Sequence, residues 1–501
     1  MKTNITQKLS KRKKNIAKRL EKRNWSERKK PMMAGRNICY EIDGRHQGTA
    51  HGGIGNIHQL AMHSGLIKEI DHRMKLLKRN LPYHDSDHIL NIAYNLLAGG
   101  TCLQDIELLR NDIAWLDALG AKIIPDPTTA GDFLRRFTED QITEFMEVKN
   151  TVRSRIWQKQ PQSFRKEAII NADGTICATD GQCKEGMDIS YDGQWGYGPL
   201  VISLANTREP LYIVNRPANA PSHLNSAFWI DKSLDLVCDQ FEKVQLRGDT
   251  DLSLTGNFDK WDPRCTFIFG MDARANLEKI ANQIDPSGWQ SLEREPKYKV
   301  KTWPRRRPSN VKQQVVKKRK FKRITTTAED ITECEYQPGK CKKPYRLIIL
   351  RKTVTVLQGE LNLFDDIRYL FYITNDRKRS TEQMIHFYRA RSDHENDIEQ
   401  LKNAVHAFTP ASDSLLSNWA LMTIASLAWD LKAWYGLLLS YRPLGLSIVR
   451  MEFKRFLNTF IRVPCLIITT GRRIHYRLIG YNERLKHIIK FSDTIKSFGV
   501  T

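Results

Sequence analysis

The stretch "EAIINADGTICATD", residues 167–180, begins the part of the chain where the pattern changes from helical to extended. Four more apolar runs with the length and composition of buried strands follow it. They are "GPLVISLAN" (198–206), "PLYIVN" (210–215), "KVQLRGD" (243–249) and "CTFIFGMDA" (265–273). The segment 222–244, between the third and fourth runs, has a helical pattern. Three sequential strands, a helix and further strands predict an α/β core, which we place at residues 161–273.

Two aspartates stand where predicted strands of this core end. Asp173 follows an apolar run in "AIINADGT", and Asp249 follows a strand and a glycine in "VQLRGDTD". Because functional groups of α/β sheets collect at the carboxyl ends of strands, neighbouring strands would let these two carboxylates share divalent cations. Asp251 is an alternative to Asp249, and each aspartate taken alone has the ordinary role of a turn residue. A two-metal site needs a third ligand from elsewhere.

The stretch "HFYRARSDHENDIEQLKNAV", residues 386–405, offers that ligand within a helix predicted over about 381–407. At about 100° per residue, four of its polar side chains share a stripe about 60° wide. They are Tyr388, Arg391, Glu395 and Lys402. Apolar residues lie beside this stripe, so the four groups are expected at the edge of the core. The other polar residues are expected on the solvated surface, namely Asp393, Asn396, Asp397 and Gln400. An amphipathic helix with a chance polar stripe is the alternative.

The positive charge of the chain is clustered. There are 80 Lys and Arg against 56 Asp and Glu, and the net charge is +24. Residues 1–30 hold thirteen basic and two acidic residues, and residues 297–323 hold thirteen basic residues and no acid, and include Tyr298 and Trp303. Clustered cations neutralise phosphates and aromatic rings stack on bases, so DNA is the expected partner. A solubilising tail and a disordered loop are the alternatives. The candidate contacts in the second segment are Arg305, Arg306, Arg307, Lys317, Lys318 and Arg319.

The remaining regions complete a predicted domain order. Residues 1–30 are a basic tail, and residues 31–160 repeat apolar positions at helical spacing. Short helices of this kind can present a recognition helix to DNA, and packing without a DNA role is the alternative. Candidate contacts there are Thr128, Thr129, Arg135 and Arg136. After the core, we expect a basic β-rich insertion at 274–378, the closing helix of the core at 379–410, and a helical C-terminal region at 411–501.

Composition restricts the environment of the protein. The nine cysteines are an odd number without finger-like spacing, which indicates reduced thiols in a cytosolic protein and leaves a zinc site open. The charged N-terminus argues against a secretory signal. The most apolar stretch, 418–439, is interrupted by Asp430 and Lys432, so we expect a buried or interfacial helix and not a membrane span.

The spacing of the four polar residues in the late helix is similar to the Tyr-Arg-Glu-Lys signature of Asp-Asp-Glu insertion-element transposases. Together with "NADGT", "CKEGMDISYDGQWGYGPLVISLANT", "NRPANAPSH" and "LRGDTDLS", the chain closely resembles the bacterial insertion-sequence family designated thirteen-eighty, from about residue 36 to the C-terminus. The resemblance implies a ribonuclease H-like core interrupted by a β-rich insertion, with Asp173 on the first strand, Asp249 after the fourth and Glu395 on the closing helix. Asn171 stands where relatives often have an aspartate, which favours Asp173 as the ligand.

The same resemblance implies a transposase of a bacterial insertion sequence that acts on its terminal inverted repeats and on target DNA. The two aspartates and Glu395 would hold two Mg²⁺ ions, for which Mn²⁺ is expected to substitute. Tyr388, Arg391 and Lys402 would hold DNA. Synapsis of two ends implies a homodimer on DNA, in the nucleoid-associated cytoplasm of a bacterium and without a membrane partner. The alternatives are a nuclease of the same fold that lacks strand transfer and a DNA-binding regulator whose acidic residues are structural.

Overall fold

Where it is described, the N-terminal part of the chain consists of helices and one short strand. A computed structural model describes residues 2–21, 38–41, 43–44, 47–79, 82–181, 183–293, 314–315, 318, 322–358, 361–470 and 473–496. The elements of the N-terminal part are α1 (Lys2–Glu21), β1 (Gln47–Thr49), α2 (Ile54–His63), α3 (Leu66–Arg73), α4 (Asp85–Ala98), α5 (Ile106–Arg110), α6 (Ile113–Leu119), α7 (Pro127–Leu134) and α8 (Glu139–Gln158). A 3₁₀ turn, Leu103–Asp105, precedes α5. The helical pattern predicted for this region is confirmed.

The predicted tail is partly an ordered helix. Within α1, the Arg12 guanidinium donates to the carbonyl of Gly480 at 3.0 Å, and the Lys13 ammonium lies 2.8 Å from the Glu483 carboxylate. These contacts join the N-terminal helix to the C-terminal part of the chain. Residues 22–30 of the predicted tail lie outside the described residues.

The centre of the molecule is a mixed sheet, in which nine strands are found within the described ranges. The elements of this part are β2 (Ala168–Gly174), β3 (Cys177–Ala178), β4 (Asp188–Ile189), β5 (Trp195–Tyr197), β6 (Leu200–Leu204), β7 (Glu209–Val214), α9 (Ser226–Cys238), β8 (Val244–Gly248), α10 (Phe258–Trp261), β9 (Thr266–Met271), α11 (Ala275–Gln283), β10 (Gln290–Ser291), β11 (Lys322–Tyr336), β12 (Tyr345–Gln358) and β13 (Leu361–Thr374). The 3₁₀ segments are Thr255–Asn257 and Pro286–Gly288. All five predicted runs contain a strand and the segment between them contains α9, so the predicted α/β core is confirmed at this level.

The strand order places the ends of two parallel strands side by side. Across the large sheet the order is β10-β11-β12-β13-β9-β8-β2-β6-β7. Strand β8 is parallel to both β2 and β9, whereas β6 is antiparallel to β2 and to β7. The strands β3, β5 and β4 form a separate small sheet. The carboxyl ends of β2 and β8 therefore meet at one edge.

Three long strands between α11 and the last third of the chain extend the same sheet, because β13 pairs antiparallel with β9. Alternate residues of β12 pack on opposite faces. Leu347 and Ile349 contact Leu277 of α11, whereas Ile348 belongs to a cluster with Met384 on the other face. Covering both faces explains the unbroken apolar run in "LIIL", residues 347–350.

The C-terminal part is mostly helical. Its elements are α12 (Thr381–Arg389), α13 (Ser392–Asn403), α14 (Leu415–Leu438), α15 (Arg442–Val449), α16 (Phe453–Phe456), β14 (Cys465–Thr470), β15 (Arg473–Leu478) and α17 (Leu485–Lys496). A π-helical segment, Leu457–Ile461, follows α16. The prediction of a helical region at 411–501 missed β14 and β15, which form a three-stranded sheet with β1. The missed strand "CLIITT" is rich in β-branched residues, and its partner β1 lies more than 400 positions away along the chain.

The helix α14 is buried along nearly its whole length, as expected for the stretch 418–439. Its Asp430 carboxylate lies 3.0 Å from the Lys149 ammonium and 2.8 Å from the Arg153 guanidinium of α8, and Arg153 also pairs with Glu209 of β7 at 2.9 Å. Two buried cations thus face two buried carboxylates, which offsets the cost of removing these charges from water. No helix among those described is both long and apolar enough to cross a membrane.

Candidate active site

Asp173 and Asp249 lie at the same edge of the large sheet. Ala172 of β2 is in register with Gly248 of β8, and each aspartate directly follows one member of this pair. Burial raises the pKa of Asp173 to about 6, against the opposing effect of Arg391, and the negative charges of Asp249 and Glu395 raise it further. Burial also raises the pKa of Asp249. The edge therefore concentrates negative charge in a place where water is partly excluded.

The alternative aspartate has a different environment. Asp251 is exposed, whereas Asp249 is half-buried and accepts a hydrogen bond from the backbone amide of Leu252 at 3.1 Å. It is Asp249 whose charge acts on Asp173. The geometry therefore favours Asp249 over Asp251 as the partner of Asp173.

The predicted continuous helix is interrupted where it meets this edge. Helix α12 ends at Arg389 and α13 begins at Ser392. Around the break, the Arg391 amide donates to the Tyr388 carbonyl at 2.9 Å and the His394 amide donates to the Arg391 carbonyl at 2.8 Å. These bonds span three residues instead of four, so the turn is tighter than an α-helix. The expectation of one continuous helix over 381–407 was therefore wrong. The sequence did not reveal the break, because no proline or glycine marks it.

This tight turn directs Arg391 towards the carboxylates. One terminal nitrogen, Nη1, donates to Asp173 Oδ2 at 2.5 Å, and the other, Nη2, lies 3.4 Å from Glu395 Oε1. The Tyr388 ring lies 5.9 Å from the guanidinium carbon. Burial raises the pKa of Tyr388, and Arg391 opposes this rise. Three residues of the predicted stripe therefore meet at the sheet edge, with the cation between two of the acids.

Lys402, the fourth residue of the stripe, stands apart. It lies near the end of α13 and, among the described residues, forms no ion pair with the three acids. Its positive charge acts on the Cys177 thiol, whose pKa burial raises to about 12 in spite of Lys402. Lys402 is therefore not part of the ion pairs that join Arg391 to Asp173 and Glu395.

Asp397 corrects a second expectation about this helix. Asp393 and Asn396 are exposed as predicted, and Gln400 is half-buried, but Asp397 is buried with its carboxylate 3.4 Å from the Arg208 guanidinium. Burial raises the pKa of Asp397 to about 7, against the opposing charges of Arg208 and Lys432. The prediction failed because Arg208 and the buried Lys432 of α14 lie near Asp397, and the spacing of residues within one helix does not reveal such neighbours.

Two buried polar residues that the sequence reading did not select hold this arrangement. Arg247 of β8 donates through Nε to Asn171 Oδ1 at 2.8 Å and through Nη1 to the carbonyl of Phe387 at 2.8 Å. It therefore ties the end of α12 to the two strands that carry the aspartates. Burial lowers the pKa of Arg247 to about 10. A charged residue inside an apolar strand, two positions before Asp249, was the available signal.

Only some of the residues predicted to contact DNA lie in the part of the chain that the structure describes. Arg305, Arg306, Arg307, Lys317 and Arg319 lie outside the described residues, and Lys318 is exposed. In the N-terminal region, the Thr129 hydroxyl donates to Asp126, and Arg135 pairs with Asp132 at 2.9 Å. The remaining two candidates, Thr128 and Arg136, are exposed.

The donor set at the sheet edge has the chemistry of a site for a hard divalent cation, because three carboxylates supply oxygen ligands. Within the described ranges, however, no group of three His, Cys, Asp or Glu side chains lies close enough together to hold a metal ion. The same holds there for the zinc site that the sequence left open. The Arg391 guanidinium instead provides a positive charge between Asp173 and Glu395. The residues fit a divalent cation by donor type, with Arg391 as the cation now present among them.

Comparison with known families decides the identity of the chain. The family model described as "Transposase DDE domain group 1" matches residues 30–495. The chain belongs to this family. It is accordingly a DNA transposase, and DDE transposases generally use divalent metal ions.

A solved structure is also similar to this transposase. It is described as the cryo-EM structure of a piggyBac transposase synaptic complex with hairpin DNA. The sequence identity is 10%, the alignment covers 91% of this chain and 88% of that chain, and the TM-score is 0.38. No curated protein matches the sequence.

Proposed function

We propose that this transposase mobilises a bacterial insertion sequence of the family designated thirteen-eighty by cleaving DNA at the terminal inverted repeats and joining the ends to target DNA. The observation that carries the proposal is the position of Asp173 and Asp249 at the ends of adjacent parallel strands, with Glu395 joined to Asp173 through Arg391. The order β7-β6-β2-β8-β9 within the sheet supports a ribonuclease H-like core. In this core Asp173 lies on the first strand, Asp249 follows the fourth and Glu395 lies on a later helix.

The regions around this core would each bind a different part of the DNA. We propose that β11, β12 and β13, together with the basic segment before them, form the insertion between the second aspartate and the glutamate. The helical region before the core and the basic tail would bind the terminal repeats. Two transposase molecules would hold the two ends, because both ends must be cut and joined together.

The three carboxylates would hold two Mg²⁺ ions, with Mn²⁺ able to replace them. Such ions, when bound, activate the attacking water or 3′-hydroxyl and stabilise the leaving oxygen. Arg391 would pair with a phosphate beside the scissile bond through its planar fork. Tyr388, already packed on the Tyr372 ring at 4.7 Å, would contact a terminal phosphate or a displaced base, and Lys402 would contact the backbone further along.

The test is DNA cleavage by the full-length protein on a duplex that carries the ends of its own element. Asp249→Asn is expected to abolish cleavage in Mg²⁺ and in Mn²⁺ while DNA binding stays nearly intact, because one ligand carboxylate is lost. Asp251→Asn is the matched control, since this exposed neighbour is expected to be dispensable. Cleavage that persists in Asp249→Asn would reject the assignment of the site. Joining of a cut end to a target plasmid separates a transposase from a nuclease of the same fold.

A further inference from the structure

Arg391 lies where a cation of the proposed site would have to sit. Its Nη1 is 2.5 Å from Asp173 Oδ2 and its Nη2 is 3.4 Å from Glu395 Oε1, so two nitrogens of one guanidinium face two carboxylates of the proposed ligand set. The Arg391 side chain is only 16% exposed. The tight turn between α12 and α13 fixes the backbone from which it extends.

A divalent ion bound here would share its carboxylates with Arg391. Mg²⁺ binds a carboxylate oxygen at about 2.0–2.1 Å, and the same oxygen of Asp173 now receives an Arg391 nitrogen at 2.5 Å. The like charges of the guanidinium and the ion would also repel each other across this short distance. Arg391 in this position therefore opposes the binding of an ion to Asp173 Oδ2, and this opposition ends when Arg391 moves away.

We propose that Arg391 is a resident cation of the metal-free site, that it competes with the divalent ion for Asp173 and Glu395, and that it turns to a DNA phosphate when the ion binds. This inference rests on the proposed function. The release has a structural basis, because the Glu395 side chain is 59% exposed and Nη2 reaches it only at 3.4 Å. A phosphate can instead accept two parallel hydrogen bonds from one guanidinium. Metal and DNA would then strengthen each other's binding by the same factor.

The neighbouring Arg389 does not share the contacts that Arg391 makes with the carboxylates of the site. Arg389, two residues earlier, donates to both carboxylate oxygens of Glu329 at 3.2 Å, on the inserted strand β11. It takes part in no ion pair with the three acids of the site among the residues described. Arg389 therefore has the same charge and a similar place in the chain, but no role in the competition, and it provides a matched control.

The experiment measures Mn²⁺ binding to the full-length protein without DNA, by electron paramagnetic resonance of the free ion. Arg391→Ala is expected to bind Mn²⁺ about tenfold more tightly than the unsubstituted protein, because the competing charge is removed and Asp173 Oδ2 is freed. Arg391→Gln should behave in the same way and decides the outcome if the alanine variant does not fold. Arg391→Lys retains a competing charge and should stay close to the unsubstituted protein, as should Arg389→Ala.

The results separate this inference from the proposed function. If both neutral variants at Arg391 bind Mn²⁺ no more tightly than the unsubstituted protein while Asp249→Asn weakens binding, the competition is refuted and the metal site stands. If Asp249→Asn leaves Mn²⁺ binding unchanged, the proposed metal site itself is wrong. Tighter binding in the neutral variants that is lost on adding Asp173→Asn supports the competition at this site, since a merely structural arginine would not raise metal affinity when removed.

Discussion

Replacing Arg247 by methionine should lower the stability of the protein only slightly and its DNA-cleavage activity strongly. The guanidinium makes two charge-assisted hydrogen bonds at 2.8 Å, to Asn171 and to the Phe387 carbonyl, and each is worth about 1.5–3 kcal/mol. Burial lowers the pKa of Arg247 from 12.5 to about 10, and this desolvation costs the charged form about 3 kcal/mol at about 1.4 kcal/mol per pKa unit. The two effects largely cancel, so the substitution should lower the free energy of unfolding by only about 1–3 kcal/mol.

The effect on activity should be much larger. Without Arg247 the end of α12 loses its tie to the strands of Asp173 and Asp249, so Arg391 and Glu395 are no longer held in place. A displacement of about 1 Å at a catalytic group can cost about 10²-fold in rate, and we expect at least this loss in DNA cleavage. Urea denaturation measures the free energy of unfolding, and an assay on DNA that carries the element's ends measures the rate of cleavage.

Arg442→Met provides the control for this experiment. Arg442 of α15 donates to the Leu437 carbonyl at 3.2 Å and to the Gln160 side chain, away from the strands that carry the aspartates. Its replacement should cost a similar or smaller amount of stability and leave cleavage unchanged. If Arg247→Met remains folded and cleaves DNA within a few-fold of the unsubstituted protein, the role of Arg247 in positioning α12 is refuted.

Three further predictions concern the core, the sheet edge and pH. Asp430→Asn should lower the free energy of unfolding by about 3–5 kcal/mol in urea denaturation, because it leaves buried Arg153 with less compensating charge. Gly270→Ala should reduce cleavage, because an added Cβ would lie 2.7 Å from Thr250 Oγ1 and 3.0 Å from the Tyr388 hydroxyl. The pKa of Asp173 is raised to about 6 in the folded protein, so its ionised form costs stability above pH 6, and the metal-free protein should gain stability as the pH falls from about 6 towards 4.

Each of these predictions has its own control. Asp366→Asn removes a pair with Arg368 that is about half exposed, and should cost less than about 1 kcal/mol, so an equal loss in Asp430→Asn would contradict the first prediction. An added methyl at Gly256, which is in ordinary contact at 3.6 Å, should leave cleavage unchanged, and equal activity of the two alanine variants would contradict the second. Asp173→Asn should remove its part of the pH dependence, and an unchanged profile would contradict the third.

Much of the core could be read from local pattern. Apolar runs ending in Asp173 and Asp249 identified strands and their carboxyl ends, because burial on both faces of a sheet demands continuous apolar residues. The capping box at Ser380 likewise located the start of α12, where the Ser380 hydroxyl accepts from the Gln383 amide. The order of the strands was not visible in this way, because pairing between β2 and β8 joins residues 76 positions apart.

The segment 381–407 shows which features the sequence determines and which depend on the tertiary structure. The sequence by itself determined that Tyr388, Arg391 and Glu395 recur on one side of a helix, since this follows from the spacing of residues. Only the tertiary structure decided that the helix breaks at Arg391, that Asp397 is buried and that the charge of Lys402 acts on Cys177. The physical reason is that the charged groups beside this segment come from distant parts of the chain: Asp173 accepts from Arg391, and Arg208 lies beside Asp397.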